Sequence, residues 1–229
     1  MSRLVYCQYI YTHIFGISYF PQLVYVSNWL SANKLSLNVK KSNILLFRPK
    51  NATNVSDLSI KINNEQIEEK TYTKYLGIYI DNKLTWTYHI EHVTNKIIKG
   101  NAMLAKIRHF TSEKVNKNLY NAFIQPHIDY GAIIWGQAAQ TNLAPLASKQ
   151  NKAIRIISFM KHDDQALPLF YSKKCLPLKA NIKFQMDKFM WKLVHSSLPA
   201  SILDIFKNHG DPTSTSASHM EACKLLIPY

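Results

Sequence analysis

Two arrangements in this 229-residue chain put charge where it could do chemistry. The first is a row of lysines, Lys96, Lys99 and Lys106, with His92 one turn before it. On a helix of 3.6 residues per turn these side chains gather on one side, and aligned cations of that kind meet nucleic-acid phosphates; the plainer reading is a solvated lysine face. The second is His162-Asp163-Asp164. Adjacent carboxylates can hold metal ions for phosphoryl transfer, but Gln165-Ala-Leu-Pro supplies no second strand of a hairpin after them. They are expected to form a polar helix connection, with Asp163 or Asp164 capping the next helix. His89 and His92, three apart and without further ligands at metal spacing, read as helix-surface histidines. Cys7, Cys175 and Cys223 are odd in number, far apart and without a CxxC spacing, which points to a reducing compartment and to neither a disulfide framework nor a zinc site.

The composition, 47% apolar and 18% charged, is that of a globular protein. Lys and Arg outnumber Asp and Glu by 28 to 14, a formal charge of +14 with a pI near 9.6, and no acidic residue precedes Asp57. Such a balance favours a polyanionic partner, nucleic acid first and an anionic membrane surface second. Residues 4–26 are uncharged and rich in aromatics, but Gln8, Thr12, His13, Ser18, Pro21 and Gln22 interrupt the run that a membrane span needs. That segment reads as buried or adventitious, with no membrane partner, and the compartment as intracellular, nuclear or cytoplasmic.

The elements that must position these residues follow from periodicity. Leu23, Val26, Trp29 and Leu30 recur at helical spacing, predicting a helix from Phe20 that Asn33 closes. Ile44–Phe47 is a short apolar strand, and Asn63-Asn64 between Leu58–Ile62 and Gln66–Glu68 is a hairpin signal. Thr71–Trp86 is where a sheet hands over to helices. Its Tyr, Leu and Ile residues around Gly77 read as one strand with a bulge glycine, Asp81-Asn82 as a turn, and Thr85 or Thr87 as the cap of a helix starting near Tyr88. From there to Phe110, Ile90, Val93, Ile97, Leu104 and Ile107 form one apolar face. Gly100 lies on that side; it costs about 1 kcal/mol against Ala unless another helix packs closely there.

Pro126 is expected to end a helical segment from Leu119, and His127–Gly136 to begin a buried, nearly uncharged helix. Lys149, Lys152 and Arg155 accompany Ile154, Ile156 and Ile157 on the next helix, and Ile182, Met186, Phe189 and Leu193 mark the last apolar stripe. From Asn208 the composition turns to that of a disordered tail.

Taken together, these segments resemble the reverse transcriptase of non-LTR retrotransposons of the jockey type, from about Gln22 to Phe206. Trp29-Leu-Ser-Ala-Asn-Lys-Leu-Ser-Leu-Asn-Val-Lys-Lys-Ser resembles the helix and loop of polymerase motif D. Lys74-Tyr-Leu-Gly-Ile-Tyr-Ile-Asp-Asn-Lys-Leu-Thr-Trp resembles the primer-grip region and the start of the thumb. Leu119-Tyr, Pro126-His-Ile-Asp-Tyr-Gly, Trp135-Gly and Gln150-Asn-Lys-Ala-Ile-Arg-Ile-Ile are similar to its thumb and post-thumb helices.

The resemblance implies that Lys41, with Lys40 as its neighbouring substitute, is the motif D lysine that gives a proton to the leaving pyrophosphate, a supporting role in catalysis. It also implies that Lys74, Gly77, Lys96, Lys99 and Lys106 contact an RNA or RNA/DNA primer-template. The family's magnesium ions are held by palm aspartates, including an Asp-Asp hairpin before motif D, and residues 1–20 here carry no acidic residue. His162-Asp163-Asp164 follows motif D by more than a hundred residues instead.

The expectation is therefore an α+β chain, a small antiparallel sheet of palm origin followed by a mostly helical thumb and post-thumb bundle. Its divisions are an atypical N-terminal segment (1–19), a C-terminal palm piece (20–86), a thumb-like region (87–160), post-thumb helices (161–207) and a flexible tail (208–229). Its function is expected to be that of a truncated RNA-directed DNA polymerase without its own metal-binding aspartates, holding no cofactor and inert alone. The alternatives are a non-enzymatic basic helical module that binds RNA or DNA, and a pseudogene product with no selected activity.

Overall fold

The structure, a computed structural model, describes residues 3–5, 8–12, 20–38, 42–47, 61–62, 65–161 and 163–208. It is α+β, as the sequence implies. Two compact units make up the chain: Met1–Lys96 with Ala138–Leu146, and Ile97–Gln137 with Ala147–Tyr229.

The first unit holds β1 (Arg3–Val5), β2 (Gln8–Thr12), α1 (Phe20–Ala32), β3 (Leu35–Leu37), β4 (Asn43–Phe47), β5 (Lys61–Ile62), β6 (Glu65–Gln66), β7 (Glu68–Glu69), β8 (Tyr72–Tyr75), β9 (Ile78–Asp81) and the start of α2 (Thr87–Ile107). Asn33 closes α1 as expected: its backbone N–H and its side-chain amide both donate to the Trp29 carbonyl, at 3.1 and 2.8 Å, and Lys34 then turns to φ 52°. Leu30 is buried, whereas Trp29, assigned to the same apolar face, is 59% exposed.

Antiparallel pairing is found in the hairpins β5–β6 and β8–β9. The first joins Ile62 to Glu65 across Asn63 and Asn64, which lie outside the described residues. The remaining ladders, β1 with β3, β2 with β4 and β4 with β7, are parallel, which the sequence reading did not foresee. Parallel neighbours need a crossover, and α1 lies between β2 and β4 in the chain. Flanked by β2 and β7, β4 is buried along Asn43–Leu46, as a central strand should be.

Thr71–Trp86 is not one strand with a bulge. Leu76 and Gly77, at φ 46° and 86°, fold it into a tight hairpin with Tyr75 opposite Ile78. Two positive φ values at the centre of a two-residue loop are the condition for a turn that matches strand twist. Glycine meets that condition freely; leucine does so with strain. The chain entering α2 at Thr87 is held from the end of β9. Asp81, 4% exposed, does the holding: Oδ2 accepts from the Thr85 N–H (2.9 Å) and hydroxyl (3.0 Å), and Oδ1 from the Trp86 N–H (2.8 Å). Asn142, in the same unit, donates to the Thr85 carbonyl at 3.2 Å.

The second unit contains the rest of α2, the turn Arg108–Phe110, α3 (Glu113–Phe123), α4 (Gln125–Asp129), α5 (Ala132–Trp135), α6 (Gln140–Ile157, of which the residues through Leu146 belong to the first unit), α7 (Ala166–Ser172), α8 (Leu178–Val194) and α9 (Ala200–Asn208). Ile90, Val93, Ile97 and Leu104 of α2 are buried as periodicity requires, and Ile107 half-buried. Gly100 is the close-packing point: a Cβ there would stand 2.7 Å from Ile124 Cδ1. The helix through Leu119 ends at Phe123 with Ile124 as its cap, and Pro126 then sits in the first turn of α4, where its missing N–H is costless. Gly131, at φ 65°, then divides the expected single helix into α4 and α5, whose Ile128, Ala132 and Trp135 are nonetheless fully buried.

A buried polar network crosses this unit. Gln150 donates to the Tyr120 hydroxyl and to the Leu176 carbonyl, both at 3.0 Å, and Tyr120 donates to Gln125 at 3.2 Å. Gln125 and Asn181 both donate to Asp129, at 2.8 and 2.7 Å. Burial pushes the Tyr120 phenol well above its usual pKa. Asp163 and Asp164 do not cap α7, whose first turn has no side-chain cap; Asp164 instead closes its own loop, accepting from the Lys161 N–H. The tail beyond Asn208 lies outside the described residues.

Candidate nucleic-acid interface

In the first unit the β8–β9 hairpin and the start of α2 build one aromatic and basic surface. Residues 72 and 74 share a face of β8, and the register sets Tyr79 opposite Lys74. Tyr88 and His92 stand four apart on α2, one above the other. The rings meet in a chain: Tyr72 stacks on Tyr88 with centroids 4.1 Å apart and planes at 20°, Tyr79 lies 6.3 Å from Tyr72, and His92 4.9 Å from Tyr79. The Lys74 ammonium sits 5.6 Å from the Tyr79 centroid, a cation–π contact.

On α2, Lys96, still in the first unit, is the next position in the 88–92 series; Lys99 and Lys106, which fall in the second unit, follow on the same side of the helix, and all three are exposed. Between residues 83 and 112 Glu91 is the only acidic residue, so the local field is positive. Beneath lies His89, which is buried, not on the surface as the sequence reading had it. Its Nδ1 accepts the Tyr79 N–H at 3.3 Å, and burial, with the nearby His92 adding to it, lowers its pKa from 6.5 to about 4.

Of the residues singled out from sequence, Lys74, Gly77 and Lys96 thus fall in one unit around one hairpin, with Lys99 and Lys106 farther along the same helix. Gly77 occupies the turn rather than a bulge. Lys41 and Lys40 lie outside the described residues; Ser42, next to them, is buried and bonds through its N–H and its hydroxyl to the Asn38 carbonyl, both at 3.0 Å. Sequence reasoning missed the tyrosines, although Tyr at 72 and 79 on either side of a turn, and Tyr88 four before His92, is the pattern that brings rings together.

Among the described residues no three His, Cys, Asp or Glu side chains gather as a group that could hold a metal ion. None of the described helices is long and apolar enough to cross a membrane.

No family model matches the chain, and no solved structure matches it. Among curated proteins it is similar to the probable RNA-directed DNA polymerase from transposon X-element of Drosophila melanogaster, 25% identical over 135 residues, 58% of this chain. It is similar to the RNA-directed DNA polymerase from mobile element jockey of the same fly, 30% identical over 103 residues, 43% of the chain. The probable RNA-directed DNA polymerase from transposon BS is 26% identical over 139 residues, 59% of the chain. The matched segments make up 14%, 11% and 15% of those three proteins. Over about half its length, then, the chain is similar to RNA-directed DNA polymerases of mobile elements, and it spans less than a sixth of the length of those relatives.

Proposed function

We propose that the chain is the nucleic-acid-gripping part of a non-LTR retroelement reverse transcriptase, holding primer and template by their phosphates through Lys74, Lys96, Lys99 and Lys106. The observation that carries this reading is the exposure of the lysines of α2, the first of which, Lys96, lies one turn beyond the His92 ring that meets Tyr79 of the hairpin. Contacts to phosphate position a strand without reading its sequence, which suits an enzyme that copies whatever template it holds. Gly77, with no Cβ, leaves the hairpin tip open to a backbone passing close by.

Where metal-holding carboxylates are supplied from elsewhere, Lys41 would take a supporting role as proton donor to pyrophosphate. Phosphoryl transfer in two-metal sites depends on carboxylate-held metal ions, and residues 1–56 contain no carboxylate side chain, so these 229 residues by themselves bind nucleic acid without extending a primer.

Anisotropy of a labelled RNA/DNA primer-template titrated with the purified chain tests the reading. Log K is expected to fall linearly with log salt, by about 0.9 per duplex phosphate contacted. The triple variant Lys96→Glu, Lys99→Glu, Lys106→Glu is expected to weaken binding and flatten that slope. Unaltered binding by the triple variant overturns the grip, and nucleotide incorporation abolished by Lys41→Ala overturns the claim that the chain does not polymerise.

A further inference from the structure

The hairpin surface has a feature that phosphate contacts leave unexplained. Tyr72 and Tyr88 lie nearly parallel, at 20°, whereas the contacts of Tyr79 with Tyr72 and with His92 are tilted, at 50° and 54°. Rings that only pin a strand to a helix are expected to be buried; these two remain 40% and 45% exposed. A parallel pair has parallel outer faces, and a flat base adds to such a pair as a further layer. Each type of base offers a π-face, so stacking of this kind tolerates any sequence. Bases within a duplex are already stacked on both sides and have no face to give.

Charge around the pair is suited to the strand that would carry the base. Lys74 is two residues from Tyr72 on β8, about 7 Å, and Lys96 two turns from Tyr88 on α2, about 12 Å. Phosphates within a few nucleotides of a stacked base therefore meet a cation. On the strand leading into β8, Glu68 is engaged by Lys70 at 3.4 Å.

We infer that the Tyr72–Tyr88 pair is a stacking platform for an unpaired base, so that this surface takes single-stranded nucleic acid, or the single-stranded side of a junction, in preference to duplex. The inference rests on the proposed grip but asks more of it: phosphates alone make the surface indifferent to whether bases are present.

The test uses the full chain and three labelled probes: a short single strand, the same strand made abasic throughout, and its duplex. The intact strand is expected to bind roughly tenfold more tightly than the abasic one, as one good base–aromatic contact allows. Tyr88→Ala should erase that preference and Tyr88→Phe keep it, while the triple lysine variant should weaken intact and abasic strands alike. Tyr72→Ala is a second probe, and circular dichroism checks each variant's fold; should Tyr72→Ala unfold the hairpin, Tyr88→Ala with its Phe control decides. Equal binding of intact and abasic strands by the unaltered chain overturns the platform and leaves the phosphate grip standing. A base preference that survives Tyr88→Ala overturns this site, and failure to bind any probe overturns the grip and the platform together.

Discussion

His89 accepts the backbone N–H of Tyr79 at Nδ1, across 3.3 Å, and so ties the second strand of the hairpin to the first turn of the basic helix. An acceptor at Nδ1 means the neutral imidazole carries its proton on Nε2. Protonating Nδ1 removes the acceptor and sets two N–H groups against each other in a site that is 2% exposed.

The consequence is a pH dependence with a defined sign. The His89 pKa falls from 6.5 to about 4 on folding. Above pH 6.5 the ring is neutral in both states and its contribution is fully present. As pH drops toward about 4 the unfolded chain takes up a proton that the folded one refuses, and stability is lost until it levels off below that value. The loss is of the order of 3 kcal/mol. In urea unfolding of the full chain, the midpoint is expected to fall across this window, and His89→Asn, which keeps an acceptor but cannot titrate, should reduce the fall. An identical pH profile in the variant would show that other groups are responsible.

Asp81 performs the neighbouring task. Between it and α2 the chain passes through Leu84 and Trp86, both non-glycine residues at positive φ, 52° and 64°. Three hydrogen bonds to one buried carboxylate hold that unfavourable path. Asp81→Ala is expected to cost about 2–3 kcal/mol, and Asp81→Asn, which retains one acceptor oxygen, roughly half as much. Thermal or urea unfolding of both variants checks the order. A variant Asp81→Ala within about 0.5 kcal/mol of the unaltered chain, the usual range for a surface change, would refute the clamp.

These two residues mark where the sequence could and could not be read. The α2 helix, its apolar face and its lysine stripe were legible because a 3.6-residue period is a strong signal over 21 residues. The Asn33 closure of α1 was legible because cap chemistry is local. His89 was misplaced although the signal existed: it stands four before Val93 and eight before Ile97, on the buried side, and its resemblance to His92 in type hid its difference in phase. The hairpin tip was illegible for a different reason. Leu76 at φ 46° goes against its own preference, so the alternation through Tyr75-Leu-Gly-Ile reads as unbroken strand, and only tertiary context makes it turn. Parallel pairing of β2 with β4 was illegible because a short apolar run names no partner.

Gly100 offers a test of packing that runs against helix propensity. In an exposed helix, Gly→Ala stabilises by about 1 kcal/mol. Here the added methyl would stand 2.7 Å from Ile124 Cδ1 and 3.3 Å from the Phe123 carbonyl oxygen, which is backbone and cannot swing aside, and Ile124 is fully buried. Overpacking of this kind costs about 1–3 kcal/mol, enough to reverse the sign. Gly100→Ala is therefore expected to destabilise the chain. Ile124→Val alone should also destabilise it, by about 1 kcal/mol for the lost methylene. Because Val lacks the Cδ1 atom that meets the new methyl, the double variant should be more stable than the sum of the two losses, a favourable coupling of about 1 kcal/mol or more in a double-mutant cycle. If the two effects simply add, the close approach of α2 and α3 at this point is not what requires the glycine.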